Sequence, residues 1–278
     1  MALTYRDYSA DLVAAARSVL LELVHLLGEY RTDIVVVGGW VPQLILPAHP
    51  LKHVGSLDVD LAFNHRNLRD AGYATIQALL LSRGYEQDHR QPFIFHRTVR
   101  VGGSAIKVQI DFLAGEYEGT GKGHRTQPVH DGRARKARGC DLAFDLFVET
   151  PIGGELPEGG LDQTTVRVSS VVAFLVMKGM ALADRLKEKD AWDIYFVLTN
   201  YPAGIDALVG EIQPHIDHGL VQEGLVKIAK KFATVAHIGP KFVADFEDVL
   251  EAEGRAALMR DAFEKVDYLL QALKIRLE

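Results

Sequence analysis

Asp58, Asp60 and Asp111 are the residues whose types and spacing point most directly to chemistry. In Asp58-Val59-Asp60-Leu61-Ala62-Phe63, the residues Val59, Leu61 and Phe63 alternate with Asp58, Asp60 and Ala62, so a strand here puts both carboxylates on one face. The alternation recurs over Ala105–Leu113, where Ile106, Val108, Ile110 and Phe112 oppose Lys107, Gln109 and Asp111. If the two strands are neighbours, three carboxylates gather. Two of them at ~4 Å in a medium of effective dielectric ~20 repel by roughly 4 kcal/mol, so the cluster needs solvent or a cation. An oxygen-only donor set suits Mg2+ or Mn2+, hard ions that bring substrate phosphates with them. The plain alternative is the wet face of a half-exposed strand.

Other charged groups point the same way. Lys178 shares a helical stripe with Phe174, Leu175 and Leu182, where an ammonium must either snorkel or face an anion, Asp193 or a ligand. Arg185 falls on nearly the same face, and Asp190 is placed to N-cap the next helix, ahead of Asp193. Between Gly115 and Gly139, six glycines accompany Lys122, Arg125, Arg133, Arg135, Lys136 and Arg138, which reads as a mobile basic loop or a clamp on polyphosphate or nucleic acid. Cys140 is the single cysteine, which excludes a disulfide framework and a multi-cysteine zinc site. His49 and His53 lie in a proline-flanked stretch, and His215 and His218 flank a helix end, so zinc is disfavoured. No Gly-x-Ser-x-Gly elbow is present, which argues against a serine hydrolase.

The elements that must hold these groups can be read from periodicity. An amphipathic helix over Tyr8–Glu29 precedes a buried β-run, Ile34–Val37, then Gly38-Gly39 and a short apolar helix. The two glycines permit a close backbone approach, and the amides opening the helix suit phosphate. A helix around Tyr73, Ile76 and Leu80 stops near Gly84, and Phe93–Val101 with Ala105–Leu113 forms a hairpin about Gly102-Gly103-Ser104. Leu142–Val148 reads as a further strand and Pro151–Gly160 as a linker. Beyond it, helical spacing prevails to the end of the chain.

With 278 residues, 48% hydrophobic and 24% charged, the chain reads as two globular domains, 1–160 and 161–278. Residues 1–150 hold 17 basic and 17 acidic side chains against 14 and 20 in 151–278, so the net charge of −6 lies in the second half. That balance argues against a general nucleic-acid coat protein. No apolar window of about 18 residues exists, and Arg6, Asp7 and Asp11 near the start do not read as a signal peptide, so a cytoplasmic protein without membrane contact is expected.

Taken in order, Gly38-Gly39, Ser56-x-Asp58-x-Asp60, Asp111 and the Lys178…Arg185…Lys189-Asp190-x-x-Asp193 block resemble a nucleotidyltransferase of the polymerase-β superfold, closest to the AbiEii-like toxin family of type IV toxin–antitoxin systems. The resemblance covers about residues 30–200. It implies an α+β fold, a nucleotidyltransferase-like mixed sheet with flanking helices followed by a helical C-terminal domain. It further implies Mg2+ or Mn2+ on Asp58, Asp60 and Asp111. Gly38, Gly39, Ser56, Lys178, Arg185 and Asp190 would contact the nucleotide, and Asp111, Lys178 and Asp193 would assist catalysis. NMP transfer from an NTP to an acceptor hydroxyl follows, with RNA, particularly a tRNA 3′ end, as acceptor and an antitoxin as partner. Antibiotic nucleotidyltransferases share the superfold, and a non-catalytic nucleotide- or partner-binding module is a third class. One departure is the 18 residues between Gly39 and Asp58, which leave Ser56 uncertain relative to the glycines.

Overall fold

The computed structural model describes residues 4–46, 51–64, 67, 70–115, 126–129 and 132–276, with the backbone alone given for 70–74, 126–129, 132 and 133. It is an α+β protein of two units. One comprises Tyr8–Ile45 and Gly55–Ser170; the other comprises Val171–Glu278 together with Met1–Asp7 and Leu46–Val54.

The first unit is a mixed sheet. Its strands are β1 (Ile34–Val37), β2 (Asp58–Phe63), β3 (Glu86–Gln87), β4 (Ile94–Val101), β5 (Ser104–Ala114), β6 (Thr126–Val129), β7 (Gly132–Lys136), β8 (Phe147–Glu155) and β9 (Leu161–Ser169). The main path runs β3-β4-β5-β2-β1-β9-β8, with β6 and β7 attached through β5. Strands β2 and β5 are parallel neighbours, with Val59 opposite Ile110 and Leu61 opposite Phe112. These apolar residues form one buried face, on which Phe112 stacks against Phe63 and Phe95 at centroid distances of 4.6 and 5.2 Å. Helix α1 (Ala10–Leu26) covers that face: Arg97, which shares it with Val108, reaches Glu22 of α1 at 3.1 Å. The other face is left to Asp58, Asp60, Gln109 and Asp111.

Two expected elements come out differently. Leu142–Asp145 is a short helix (α4, after α2, Val41–Ile45, and α3, Asp70–Ser82), and the strand begins only at Phe147. Leu142 and Ala143 on successive positions are both buried, a pattern that a half-exposed strand does not give. Nor is Pro151–Gly160 a linker: Pro151–Glu155 belongs to β8, and the chain turns over Leu156–Gly160 into β9. Pro151 is tolerated because β8 ends the sheet, where a missing N–H breaks no ladder on the open side. The expected division at 160/161 therefore moves to Ser170/Val171. The described parts of the basic Gly115–Gly139 stretch are likewise a hairpin, β6–β7, whereas Lys122 and Arg125 lie outside the described residues.

The second unit contains α5 (Val171–Arg185), α6 (Glu188–Asn200), α7 (Ile205–Ile212), α8 (Gly219–Lys231), α9 (Ile238–Phe246) and α10 (Ala252–Ala272). Helices α5 and α8 cross at two glycines. A methyl group on Gly179 would stand 2.4 Å from the Gly224 carbonyl oxygen, and one on Gly224 would stand 2.8 Å from Val176 Cα. Among the described residues, no helix is long and apolar enough to cross a membrane. Gly224→Ala is expected to force the helices apart and cost about 1–3 kcal/mol, read as a lower urea midpoint for the helical unit. An unchanged midpoint would show that the crossing relaxes freely.

Candidate functional site

The carboxylate cluster is set by backbone register. Asp60 lies directly opposite Asp111 in the parallel β2–β5 pair, and Asp58 lies opposite Gln109. Since neighbouring strands are about 4.8 Å apart, opposite side chains on one face are near neighbours. Asp111 is buried, 3% exposed, while Asp58 and Asp60 are half-buried. Each flank contributes a holding contact. Ser56 Oγ donates to Asp58 Oδ1 at 2.5 Å, Gln109 Nε2 donates to Asp111 Oδ2 at 2.6 Å, and Arg135 Nη1 lies 3.8 Å from Asp111 Oδ1. The fully buried Trp40 pins the start of β2 by donating from Nε1 to the Asp58 carbonyl at 2.8 Å.

Gly38 has a specific task in this arrangement. Its φ of +73° is one that L side chains rarely adopt, and a Cβ there would fall 2.0 Å from Asp60 Oδ2. The close approach that the glycine pair permits is therefore to an aspartate of the cluster. Gly39, next to it, is buried in the tight turn that joins β1 to α2. A comparable contact occurs at the end of β5, where a Cβ on Gly115 would lie 2.0 Å from the Asp141 carboxylate. Burial pushes the Cys140 thiol up, with Asp141 and Asp60 adding to the effect, so the thiol stays protonated. Asp141 is thus a fourth acid of this neighbourhood that sequence reasoning missed. Its only signal was adjacency to the basic stretch.

The oxygen chemistry of Asp58, Asp60 and Asp111 suits a hard divalent ion. Among the described residues, however, no group of three or more His, Cys, Asp or Glu side chains converges closely enough to hold a metal ion. Asp58 and Asp111 are instead engaged by Ser56, Gln109 and Arg135.

Lys178, Arg185, Asp190 and Asp193 fall in the helical unit, where they form a second ionic group. Lys178 Nζ lies 2.8 Å from Asp190 Oδ1 and 2.6 Å from Asp193 Oδ2. Arg185 grips Asp190 with two hydrogen bonds of 2.7 and 2.9 Å, and Lys189 Nζ donates to Asp193 Oδ1 at 2.8 Å. Of the two partners weighed for Lys178, the structure supplies an acid of its own unit, and supplies it twice. Asp190 is not the N-cap: α6 begins at Glu188 behind Lys187, and Asp190, in the first turn, turns its carboxylate to α5 instead. Burial opposes the charge on Lys178, but Asp190 and Asp193 outweigh it and hold the ammonium above its ordinary pKa. Burial likewise opposes Asp190, which Lys178 and Arg185 bring down to about 2.

His53 completes this group and was not foreseen. Its Nε2 lies 2.9 Å from Asp193 Oδ1, and its ring meets Phe196 edge-on at 4.9 Å between centroids. Burial first, then the charge of Lys189, lowers its pKa from 6.5 to about 4. A neutral His53 facing a carboxylate must carry its proton on Nε2. The pairing spans 140 positions, so no local pattern announces it. Of the other histidines, His49 lies outside the described residues, and His218 caps α8 by accepting from Leu220 N–H at 3.2 Å.

No protein-family model matches the chain, and no curated protein is significantly similar to it.

Two outcomes follow. Gly38→Ala should lower stability by about 2 kcal/mol or more through strain and overlap; adding Asp60→Ala should recover only the overlap part, a positive coupling in a double-mutant cycle of melting measurements. Independent losses would separate Gly38 from Asp60. As for His53, the unfolded chain takes up its proton near pH 6.5 and the folded chain only near pH 4. Its stabilising effect is therefore complete above pH 6.5 and is lost on descending to pH 4, by on the order of 3 kcal/mol. His53→Gln, which keeps a donor for Asp193, should flatten urea midpoints across that window. If the mutant falls as steeply as the wild type, other groups carry the loss.

Proposed function

We propose that the chain is a divalent-cation-dependent nucleotidyltransferase, transferring a nucleoside monophosphate from an NTP to an acceptor hydroxyl on RNA, within the polymerase-β superfold and in the manner of the AbiEii-like toxins. One observation carries the reading: the parallel register that sets Asp60 against Asp111, with Asp58 two residues back on the same face. Asp58, Asp60 and Asp111 would hold Mg2+ or Mn2+, which when bound supplies charge neutralisation for the triphosphate and a lower pKa for the acceptor hydroxyl. The donor type suits such an ion, and Ser56 and Gln109 orient two of the carboxylates by hydrogen bonds, but the three side chains do not converge closely enough to hold it as they stand.

In the transfer, the hydroxyl oxygen bonds to the α-phosphorus as the bond from that phosphorus to the pyrophosphate oxygen breaks in line. Asp111 is the acid assigned to take the hydroxyl proton. Arg135, Lys136 and Arg138 on and after β7 supply the positive edge that an RNA backbone needs. Lys178, Asp190 and Asp193 act here as the buried fastening of α5 to α6. Arg185, 41% exposed, closes that group on its solvent side. A second reading, a non-catalytic nucleotide- or partner-binding module, is favoured by the present engagement of Asp58 and Asp111 by protein groups.

The test supplies each labelled NTP with Mg2+ and either total RNA or a panel of aminoglycosides. Label is expected in RNA, and Asp58→Asn or Asp60→Asn should lower transfer by at least about a hundredfold while leaving the metal-free melting temperature unchanged or raised. Label in the aminoglycosides would move the acceptor to a small molecule. No label in either pool with any NTP would favour the second reading.

A further inference from the structure

A cavity of about 300 Å3 lies within the sheet unit, where the middle of α1 faces the tips of two hairpins, β4–β5 and β8–β9. Helix α1 presents to it the stripe Ala14, Arg17, Ser18 and Leu21, at i, i+3, i+4 and i+7, and two of these residues are small. That smallness leaves the space. Val99 and Val101 line the cavity from β4, and Leu156 and Pro157 line it from the turn after β8. Since Val99 and Val101 have the parity of Arg97, and Ile94 opposite Asp111 has the other, the cavity is on the face of the sheet away from the carboxylates.

Arg17 is the member of this lining that the fold does not balance. It is half-buried, and its Nη2 donates to the Gly153 carbonyl at 3.0 Å. Among the described residues that carbonyl is its one partner, and no carboxylate lies within ion-pair distance. Arg97, on the same face of β4 as Val99, is treated differently, with Glu22 at 3.1 Å and Glu158 at 3.0 Å. One arginine beside α1 is thus met by two acids and the other by a neutral oxygen. A guanidinium carries five N–H donors in a planar fork, so Arg17, oriented by one carbonyl, keeps most of that fork for an incoming anion. At the mouth, Arg100 and Glu155 are both exposed and of opposite sign, which leaves Arg17 to set the charge inside.

We propose that this cavity binds a small organic acid, whose carboxylate pairs with the Arg17 guanidinium and whose apolar body lies against Leu21, Val99, Val101 and Leu156. The volume sets its size. At the ~30 Å3 that a water molecule occupies in the liquid, the cavity holds about ten water-sized groups, which places it at the low end of ordinary ligand pockets. An inorganic anion would satisfy Arg17 and leave the apolar wall wetted, whereas a neutral apolar molecule would cover the wall and leave the guanidinium without an anion. The nucleotidyltransferase reading neither supplies this site nor needs it.

Calorimetric titration of the full chain with octanoate, an aliphatic acid of that size, tests the proposal, with 1-octanol and inorganic phosphate as its two halves. Octanoate should bind at one saturable site and raise the melting temperature, and octanol and phosphate should each bind at least about tenfold more weakly. Arg17→Gln should bring octanoate down to the level of octanol, a loss specific to the charged ligand that a merely structural contact to Gly153 does not produce. Ala14→Phe, at an exposed position of the lining, leaves the Arg17–Gly153 bond in place and should exclude octanoate by filling the cavity. Melting curves confirm that each variant is folded. Failure of octanoate to saturate, or wild-type affinity in either variant, overturns the proposal, and phosphate binding as tightly as octanoate overturns the organic acid as its ligand. Each of these results leaves the nucleotidyltransferase reading where the labelling experiment puts it.

Discussion

Placing Asp60 directly opposite Asp111 on adjacent strands is an arrangement that electrostatics opposes, and much of the sheet unit is organised around making it tolerable. Gly38 clears space for the Asp60 carboxylate, Trp40 holds the backbone of Asp58, Ser56 and Gln109 donate to the outer oxygens, and β7 delivers a guanidinium. These contacts come from four separate stretches of chain. Holding like charges together in this way disfavours the folded state unless something is gained elsewhere, which is the ordinary mark of a ligand site.

The helical unit solves a similar problem by different means. Its two buried acids, Asp190 and Asp193, face three cations, Lys178, Arg185 and Lys189, and the remaining acceptor capacity of Asp193 is met by a neutral His53. Charge is met by charge. Removing any one member would strand a buried ion, whereas the intact group needs nothing from outside. Because His53 belongs to the segment 51–54, that segment is fastened to the helices by the same interaction.

How far the sequence disclosed all this depends on the range of the interactions involved. Alternation within Asp58–Phe63 and Ala105–Leu113 was enough to put the carboxylates on one face each, and a short α/β order was enough to expect the two strands side by side. Local signals misled where tertiary position decides. Proline and glycines over Pro151–Gly160 mean a linker in isolation and an edge hairpin at the end of a sheet. Asp190 has the identity of a cap but spends its carboxylate on Lys178 and Arg185. In Gly132–Lys136, the alternation Arg133-Ala134-Arg135, with Ala134 buried, did carry a strand signal, hidden by the glycines and charge around it. His53 had no local signal and Asp141 only its adjacency to the basic stretch, since each depends on a partner or neighbour supplied by the fold.

The contrast between the two ionic groups bears on which of them seeks a ligand. A hydrogen bond from a serine hydroxyl or a glutamine amide orients a carboxylate and leaves its full negative charge in place, whereas a lysine or arginine within 3 Å cancels it. Asp190 and Asp193 have the second kind of partner at 2.6–2.9 Å. Asp58 and Asp111 have the first kind at that range, with Arg135 standing further off at 3.8 Å. By that measure, the helical group is met charge for charge, whereas Ser56 and Gln109 orient the carboxylates of Asp58 and Asp111 by hydrogen bonds. Oriented carboxylate oxygens are the donor type that a small, hard cation prefers.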